Sequence, residues 1–236
     1  MLDDILAGLL LVVVPAWAMW RSLRAGGATT NRMRRYLVSG LLIAALLGLL
    51  CVDWLYARRT PSSLGLDMPL SRGGGVGLFI AGALFLFAAA AGVIHNLKGP
   101  ATGNRKQGRR VEGDDILPRD RRELAAFLGL SLLLGGGWEL LYRGFLLWFL
   151  VPLTGTVGAV FVAAVAYGAA HGYRGRRQFI GSIVSAFLFT IAFVLSGSLW
   201  WLMIVHTAAA VAGGLSSYRI ASRTKAGLSP SLPISS

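Results

Sequence analysis

The stretch ELAAFLGLSLLLGGGWELLYRGFLLWFLV, residues 123–151, decides the fold of this protein. Its only charged residues are Glu123 at its start and the pair Glu139 and Arg143 in its interior. About 20 consecutive apolar residues suffice to cross the hydrocarbon core of a bilayer as an α-helix. The apolar residues run continuously and do not alternate with polar ones, which excludes a membrane β-barrel. The stretch therefore predicts a membrane-spanning helix with a polar pair inside it.

Similar apolar segments flank this stretch on both sides. Because backbone polar groups in hydrocarbon need partners within the protein, these segments predict an all-α membrane protein with about seven transmembrane helices. Asp3 and Asp4 precede the first segment, whereas a signal peptide begins with basic residues, so we interpret that segment as an uncleaved span. The segments are 5–20, 36–57, 75–96, 123–151, 155–172, 178–196 and 198–218.

The composition agrees with a membrane location. Of the 236 residues, 55% are hydrophobic and 14% are charged, and the mean hydropathy is +0.65. A soluble domain carries about a quarter charged residues, so a soluble globular enzyme is excluded. The single cysteine, Cys51, excludes a disulfide within the chain and a zinc site built from cysteines.

The basic residues predict how the chain crosses the membrane. Most of the 23 lysines and arginines fall in residues 21–35, 97–122 and 174–177 and in the tail after 218. Cytoplasmic loops carry such an excess, which predicts an N-terminus outside and a C-terminus in the cytoplasm. We therefore interpret the chain as a multi-pass protein of a bacterial inner membrane. Its net charge of +13 is interpreted as attracting its basic loops to anionic lipid. No basic patch studded with aromatic residues is present, so no nucleic-acid partner is expected.

The long polar stretch at 97–122 divides the chain. Residues 1–117 are predicted to form an N-terminal three-helix membrane region with a basic loop. Residues 118–218 form a four-helix core, and residues 219–236 a disordered cytoplasmic tail, because that tail is short, polar and rich in Ser and Pro.

Ionisable groups inside spans are costly, so each is a candidate functional residue. Glu139 and Arg143 are four residues apart and share one helix face, and so do Tyr167 and His171; His206 lies in the last span. These residues have structural explanations as well: an ion pair for Glu139 and Arg143, an interfacial histidine for His171 and a core histidine for His206. Together the five side chains offer general-base catalysis on water, or a divalent metal such as zinc held through His171 and His206.

These residues carry a resemblance to a known family. Glu139-Leu-Leu-Tyr-Arg143 resembles the Glu-Glu-x-x-x-Arg motif of the CPBP family, the CAAX-processing and bacteriocin-processing (ABI, Rce1-like) intramembrane proteases. The family's Phe-x-x-x-His motif is similar to Tyr167-Gly-Ala-Ala-His171, and its His-x-x-x-Asn/Asp motif to the segment that begins at His206. Order and spacing agree, and the resemblance covers about residues 118–215.

The resemblance implies an endopeptidase that hydrolyses peptide bonds of membrane-associated proteins or peptides. In that interpretation Glu139 and His171 activate water, His206 stabilises the oxyanion and Arg143 orients Glu139, while Tyr167 contributes to binding.

Two motif positions depart from the family, because Trp138 replaces the first glutamate and Ala210 the final Asn/Asp. A catalytically impaired relative that acts as a membrane scaffold or bacteriocin-immunity factor is therefore the alternative.

Other chemistries lack their sequence signatures. The chain has no His-Glu-x-x-His and no Gly-x-Ser-x-Gly, so zinc proteases and serine proteases of those types are excluded. A transporter with a proton relay is the least favoured interpretation, because no inverted repeat is visible.

Overall fold

In the computed structural model, the described residues 1–24, 31–97, 116–173 and 175–227 contain helices and no strand. For residues 88–97, 220 and 223–227 the description covers the backbone alone. The all-α prediction is thereby confirmed. The helices are α1 (Leu2–Gly8), α2 (Val14–Arg24), α3 (Arg32–Tyr56), α4 (Arg72–Leu97), α5 (Arg121–Glu139), α6 (Leu147–Ala170), α7 (Arg176–Ser196) and α8 (Trp200–Gly227).

Two π-helical turns and one 3-10 turn complete the elements of the described residues. The turn Leu9–Val13 joins α1 to α2, and the turn Leu140–Leu146 joins α5 to α6, so each pair forms one longer helix. The 3-10 turn Pro61–Leu64 lies between α3 and α4. Short π segments inside α-helices are frequent at functional sites, and the second of these turns contains Arg143.

In the part of the chain that the structure describes, four helices are long and apolar enough to cross a membrane, and they support a helical integral membrane protein. They are Leu2–Arg24, Arg32–Tyr56, Arg121–Ala170 and Arg176–Ser196. Arg121–Ala170 has 50 residues, more than twice what one crossing needs. It breaks at Gly155, whose φ of 72° and ψ of 168° are not helical. The break falls where the sequence separates segment 123–151 from segment 155–172, while the total of seven crossings stays a prediction.

Several helix ends meet at one end of the bundle. Tyr36 Oη, near the start of α3, donates a hydrogen bond to the carbonyl oxygen of Ile116. The backbone N–H of Tyr173, just after α6, donates to Ser22 Oγ in α2 at 2.7 Å. We call this the basic end, since the arginines at the end of α2 and at the start of α3 lie there: Arg21, Arg24, Arg32, Arg34 and Arg35. At the opposite end, the N–H of Leu199 donates to the carbonyl oxygen of Gly65 at 2.8 Å.

The first helices belong to the same core as the later ones. Leu6 and Leu10 of the N-terminal helix are fully buried, and they join one hydrophobic cluster with Ile43 of α3 and Leu141 and Phe145 of the second π turn. The N-terminal segment is thus an integral part of the fold.

The last helix is longer than the last apolar segment. The sequence analysis ends that segment at residue 218, whereas α8 continues to Gly227. Residues 219–227, assigned to a disordered tail, are therefore helical, because the absence of glycine and proline from 219–225 lets the helix propagate beyond the apolar part. Residues 228–236 lie outside the described residues.

Candidate functional site

A buried ion pair lies at the junction of α5 and the second π turn. Glu139 is the last residue of α5, and Arg143 follows one turn later in Leu140–Leu146. Both side chains are 2% exposed, and Arg143 Nη1 donates a hydrogen bond to Glu139 Oε2. Isolated charges at this depth would cost several kcal/mol each, so the pairing explains why both are tolerated.

The second carboxylate oxygen of Glu139 binds residues from two other helices. His206 Nδ1, on α8, lies 2.8 Å from Glu139 Oε1, and Tyr167 Oη, on α6, lies 3.2 Å from the same atom. Tyr167 Oη and His206 Nδ1 are 3.1 Å apart, so the three polar groups form a triangle. Both oxygens of Glu139 therefore have partners within the protein.

Aromatic rings hold the guanidinium of Arg143 in place. Its Cζ lies 4.6 Å from the ring centroid of Tyr167 and 5.6 Å from that of Phe189 on α7. Arginine stays charged at every accessible pH, and stacking on rings is a favourable environment for its weakly hydrated planar group. The cation is thereby fixed beside the carboxylate of Glu139.

The hydrogen bonds of the two histidines define their tautomers. His171 Nδ1 lies 2.9 Å from the backbone carbonyl oxygen of Tyr167, which only accepts, so Nδ1 must carry the proton. His206 Nδ1 donates to the Glu139 carboxylate in the same way. In each neutral ring the lone pair then resides on Nε2, and no described residue hydrogen-bonds to either Nε2.

All five candidate residues line one cavity of about 170 Å³. The imidazole rings of His171 and His206 face each other across it, with centroids 6.5 Å apart and planes inclined by 17°. The remaining walls come from α7 and α8 and are mostly apolar: Ser185, Phe189, Leu202, Val205 and Ala209. The structure thus brings Glu139, Arg143, Tyr167, His171 and His206 together, as their positions in the sequence predict.

A second cavity of about 230 Å³ lies on the other side of His171, between α2, α3 and α5. His171 and Trp138 both line it. Trp138, which stands where the family has its first glutamate, does not line the cavity of Glu139, and its ring packs on that of Tyr142 with a centroid distance of 5.6 Å. A carboxylate at position 138 would therefore share the second cavity with His171.

Sequence reasoning missed Tyr142 as a member of this site. Its ring stacks on that of Tyr167 at a centroid distance of 4.9 Å, and its hydroxyl donates to the carbonyl oxygen of Leu10 at 2.9 Å. The buried ring links the N-terminal helix to the site. The position of Tyr142 between Glu139 and Arg143 in the sequence could have indicated that it belongs to the site. Its contact with Leu10 could not be predicted, because no local sequence pattern indicates it.

The side chains at this site that could bind a metal are the imidazoles of His171 and His206 and the carboxylate of Glu139. Among the described residues no group of three His, Cys, Asp or Glu side chains is arranged to hold one. His171 and His206 offer two nitrogens, whereas catalytic zinc sites use three protein ligands and a water. Glu139 is engaged with Arg143 and His206, and the fixed cation of Arg143 would repel a second one.

Comparison with known proteins gives one family match. Residues 120–212 match the family model described as Rce1-like, type II CAAX prenyl endopeptidase Rce1-like. No curated protein and no solved structure matches the chain. The matched residues contain all five candidate residues and both departures from the motifs, and they coincide with the predicted extent of the resemblance. Residues 120–212 of this chain are thus similar to the Rce1-like family of type II CAAX prenyl endopeptidases.

Proposed function

We propose that the protein is a CAAX-type intramembrane endopeptidase in which a carboxylate–imidazole dyad activates water. The observation that carries the proposal is the buried pair of Glu139 and His206, joined at 2.8 Å beside the imidazole of His171. The family match supports the reaction class, and the geometry suggests which residues perform it.

The geometry favours His206 as the general base. Oε1 of Glu139 accepts from Tyr167 and His206 and Oε2 accepts from Arg143, so proton abstraction from water by this carboxylate would compete with these bonds. A carboxylate that accepts from Nδ1–H instead stabilises the imidazolium formed when Nε2 takes a proton. His206 would thus deprotonate the water, and Glu139 would stabilise the resulting charge.

His171 has the complementary role. Its free Nε2 faces the same cavity and accepts the second hydrogen of the attacking water, which orients the oxygen toward the substrate carbonyl. After attack, the His206 imidazolium returns the proton to the leaving amine as the C–N bond breaks. Arg143 keeps Glu139 ionised through this cycle, and Tyr167 holds its orientation.

The substrate class follows from the family and from the location of the site. The family model describes a CAAX prenyl endopeptidase, and three of the helices that line the cavity, α5, α6 and α7, are apolar enough to cross a membrane. Membrane-associated proteins or peptides are therefore the proposed substrates. We place the basic end in the cytoplasm of a bacterial cell, with seven crossings and anionic lipid around the arginines.

The experiment is turnover of membrane-anchored quenched peptides by the purified chain in liposomes. We expect cleavage by the wild type and a loss of about 10²–10⁴-fold in His206→Gln and Glu139→Gln, the range typical of general-base catalysis. Glu123→Gln is the matched control, because this carboxylate pairs with Arg32 outside the cavity.

The variants must keep their folded state for this comparison. Thermal unfolding in detergent measures that directly, because Glu139→Gln breaks a buried ion pair. Equal turnover by the wild type and both site variants would contradict the proposal. Tight peptide binding without cleavage by any form would favour the scaffold or immunity function instead.

A further inference from the structure

The carbonyl oxygen of Leu10 lacks the backbone partner that a helix normally supplies. An α-helix would supply the N–H of Val14, but in the π turn Leu9–Val13 this N–H donates to the carbonyl oxygen of Leu9. A π-helix would supply the N–H of residue 15. Pro15 has no N–H to donate. The local sequence therefore leaves a backbone acceptor open at Leu10, and a buried acceptor needs a partner from elsewhere.

A side chain from the site supplies the missing donor. Tyr142 Oη donates to the carbonyl oxygen of Leu10 at 2.9 Å, and both residues are fully buried. Because water does not reach this bond, removal of the hydroxyl would leave the carbonyl without a partner. Tyr142 itself lies in the second π turn, Leu140–Leu146. Its hydroxyl is thus held by a helix that lies outside residues 120–212, the part of the chain that matches the family model.

The ring of Tyr142 connects this attachment to the dyad through Tyr167. The two tyrosine rings are stacked, with centroids 4.9 Å apart and planes inclined by 21°. Tyr167 Oη lies 3.2 Å from Glu139 Oε1 and 3.1 Å from His206 Nδ1. The position of the Tyr167 ring therefore decides how closely its hydroxyl approaches the carboxylate and the imidazole.

Tyr142 lies outside the cavity in which the reaction is proposed to occur. Glu139, Tyr167 and His206 line that cavity of about 170 Å³, and Tyr142 is not among its lining residues. Tyr142 is therefore not placed to touch a substrate bound there. An effect of its hydroxyl on the reaction would have to pass through Tyr167.

We infer that Tyr142 is a positioning residue of the site and that the N-terminal helix is its anchor. The carbonyl oxygen of Leu10 fixes the hydroxyl of Tyr142, the ring of Tyr142 fixes Tyr167, and Tyr167 holds the dyad in the geometry that passes a proton. The effect on turnover rests on the proposed function. The geometry of the dyad that Tyr142 maintains is measurable without any turnover.

A second tyrosine provides a matched comparison. Tyr36 Oη also donates to the backbone carbonyl oxygen of a residue distant in sequence, Ile116. Its ring packs on Phe127 at a centroid distance of 5.8 Å, away from the dyad. Tyr36→Phe therefore removes the same kind of hydrogen bond as Tyr142→Phe, and each substitution keeps the aromatic ring.

The first experiment separates kcat from KM for membrane-anchored quenched peptides in liposomes. We expect Tyr142→Phe to lower kcat by about tenfold, because small displacements of catalytic groups slow the chemical step. KM should change less than about twofold, since Tyr142 does not line the cavity. Tyr36→Phe should keep the wild-type kcat. An unchanged kcat in Tyr142→Phe, or equal losses in both tyrosine variants, would overturn the inference.

Replacement of Pro15 separates positioning from stability. Alanine at this position supplies an N–H for the carbonyl oxygen of Leu10, so that the carbonyl has a donor even in the Tyr142→Phe protein. We expect Tyr142→Phe to lower the melting temperature by several degrees, and Tyr142→Phe with Pro15→Ala to regain most of that loss. The kcat should stay low in the double variant. A kcat that recovers together with the melting temperature would mean that the hydroxyl only stabilises the fold, and would overturn the inference.

NMR of the histidines tests the positioning without a substrate. The Nδ1 proton of His206 donates to the carboxylate of Glu139, and a proton in such a charge-assisted bond resonates at low field. In protein labelled with ¹⁵N-histidine in micelles, loss of the signal in His206→Gln assigns it. We expect Tyr142→Phe to shift or broaden this signal and Tyr36→Phe to leave it unchanged. An identical signal in the wild type and Tyr142→Phe would overturn the inference.

The two proposals fail in different ways. A changed His206 signal in Tyr142→Phe, in a protein that cleaves no peptide, would support the positioning by Tyr142 and refute the proposed function alone. Cleavage by the wild type, with kcat and the His206 signal unaltered in Tyr142→Phe, would refute the positioning role alone.

Discussion

At the scale of single residues, the chemistry depends on which atoms remain unbonded. Glu139 has the residue type expected of a base, but both of its oxygens are used by Arg143, His206 and Tyr167. His206 retains a lone pair on Nε2. The residue that polarises water is therefore better sought among the imidazoles than at the buried carboxylate.

Restoring the family's residue types at positions 138 and 210 tests whether Trp138 and Ala210 limit peptide turnover. We expect Trp138→Glu with Ala210→Asn to raise peptide turnover by about tenfold or more, because a carboxylate at 138 would share a cavity with His171. Trp138→Gln with Ala210→Asn is the control for size and polarity without the charge. No gain in the double variant would argue for a binding protein.

Metal dependence is a separate prediction at the same scale. Because His171 and His206 give two protein ligands at most, we expect no zinc to copurify and turnover to change less than about twofold with chelator. Elemental analysis of the purified protein and turnover with and without chelator measure both parts. Turnover that chelator abolishes and zinc restores would refute this expectation.

At the scale of helices, the contact of α5 with α8 positions the site. Gly135 lies one turn before Glu139, and it touches Thr207, the neighbour of His206. The absence of a side chain at 135 lets the two backbones approach, as small residues do at helix interfaces in membranes. The 2.8 Å bond between Glu139 and His206 depends on that approach.

Two adjacent glycines, Gly135 and Gly136, allow the effect of close helix packing to be distinguished from the effect of helix propensity. A Cβ at 135 would lie 2.8 Å from Thr207 Cα, whereas the nearest neighbour of a Cβ at 136 is Met203 Sδ at 4.0 Å. Overpacking costs about 1–3 kcal/mol, so we expect Gly135→Ala to lower the melting temperature by several degrees and to reduce turnover. Gly136→Ala should be neutral or stabilising, since alanine is the better helix former. Equal effects of the two would contradict this role of Gly135.

At the scale of the whole molecule, side-chain hydrogen bonds at two positions attach the N-terminal helix to the rest of the protein. Tyr142 donates to the carbonyl oxygen of Leu10, and Arg59 binds both oxygens of Asp3 at 2.7 Å. Arg59 also donates to Asp53 at 2.9 Å. The hydrogen-bonded Asp3 carboxylate raises the pKa of Arg59 above its usual value, so the cation persists across the working pH range.

Two neighbouring aspartates test this attachment. Asp3 binds Arg59, whereas the exposed Asp4 pairs with the N-terminal amine. We expect Asp3→Ala to lower the free energy of unfolding by about 1–3 kcal/mol, the range for hydrogen bonds to charged groups, and to expose the N-terminal helix to proteolysis. Asp4→Ala should change neither quantity. The measurements are thermal unfolding and limited proteolysis in detergent, and resistance of Asp3→Ala to both would contradict the attachment.

The sequence by itself determined the helical class, the family resemblance and the five candidate residues. Each of these rests on local information, because apolar length, i,i+4 spacing and motif order are properties of one segment at a time. The break in the long helix at residue 155 also follows from local information, because it falls between two apolar segments of the sequence. The seven crossings and their orientation, also inferred from local patterns, remain predictions.

Only the tertiary structure decided which atoms of these residues are available. The bonding of Glu139 by Tyr167 and His206, the tautomer of His206 and the anchoring of Tyr142 on Leu10 all join residues that are distant in sequence. The placement of Trp138 in the second cavity is likewise an outcome of helix packing. Packing depends on contacts between several helices at once, and no single segment carries that information.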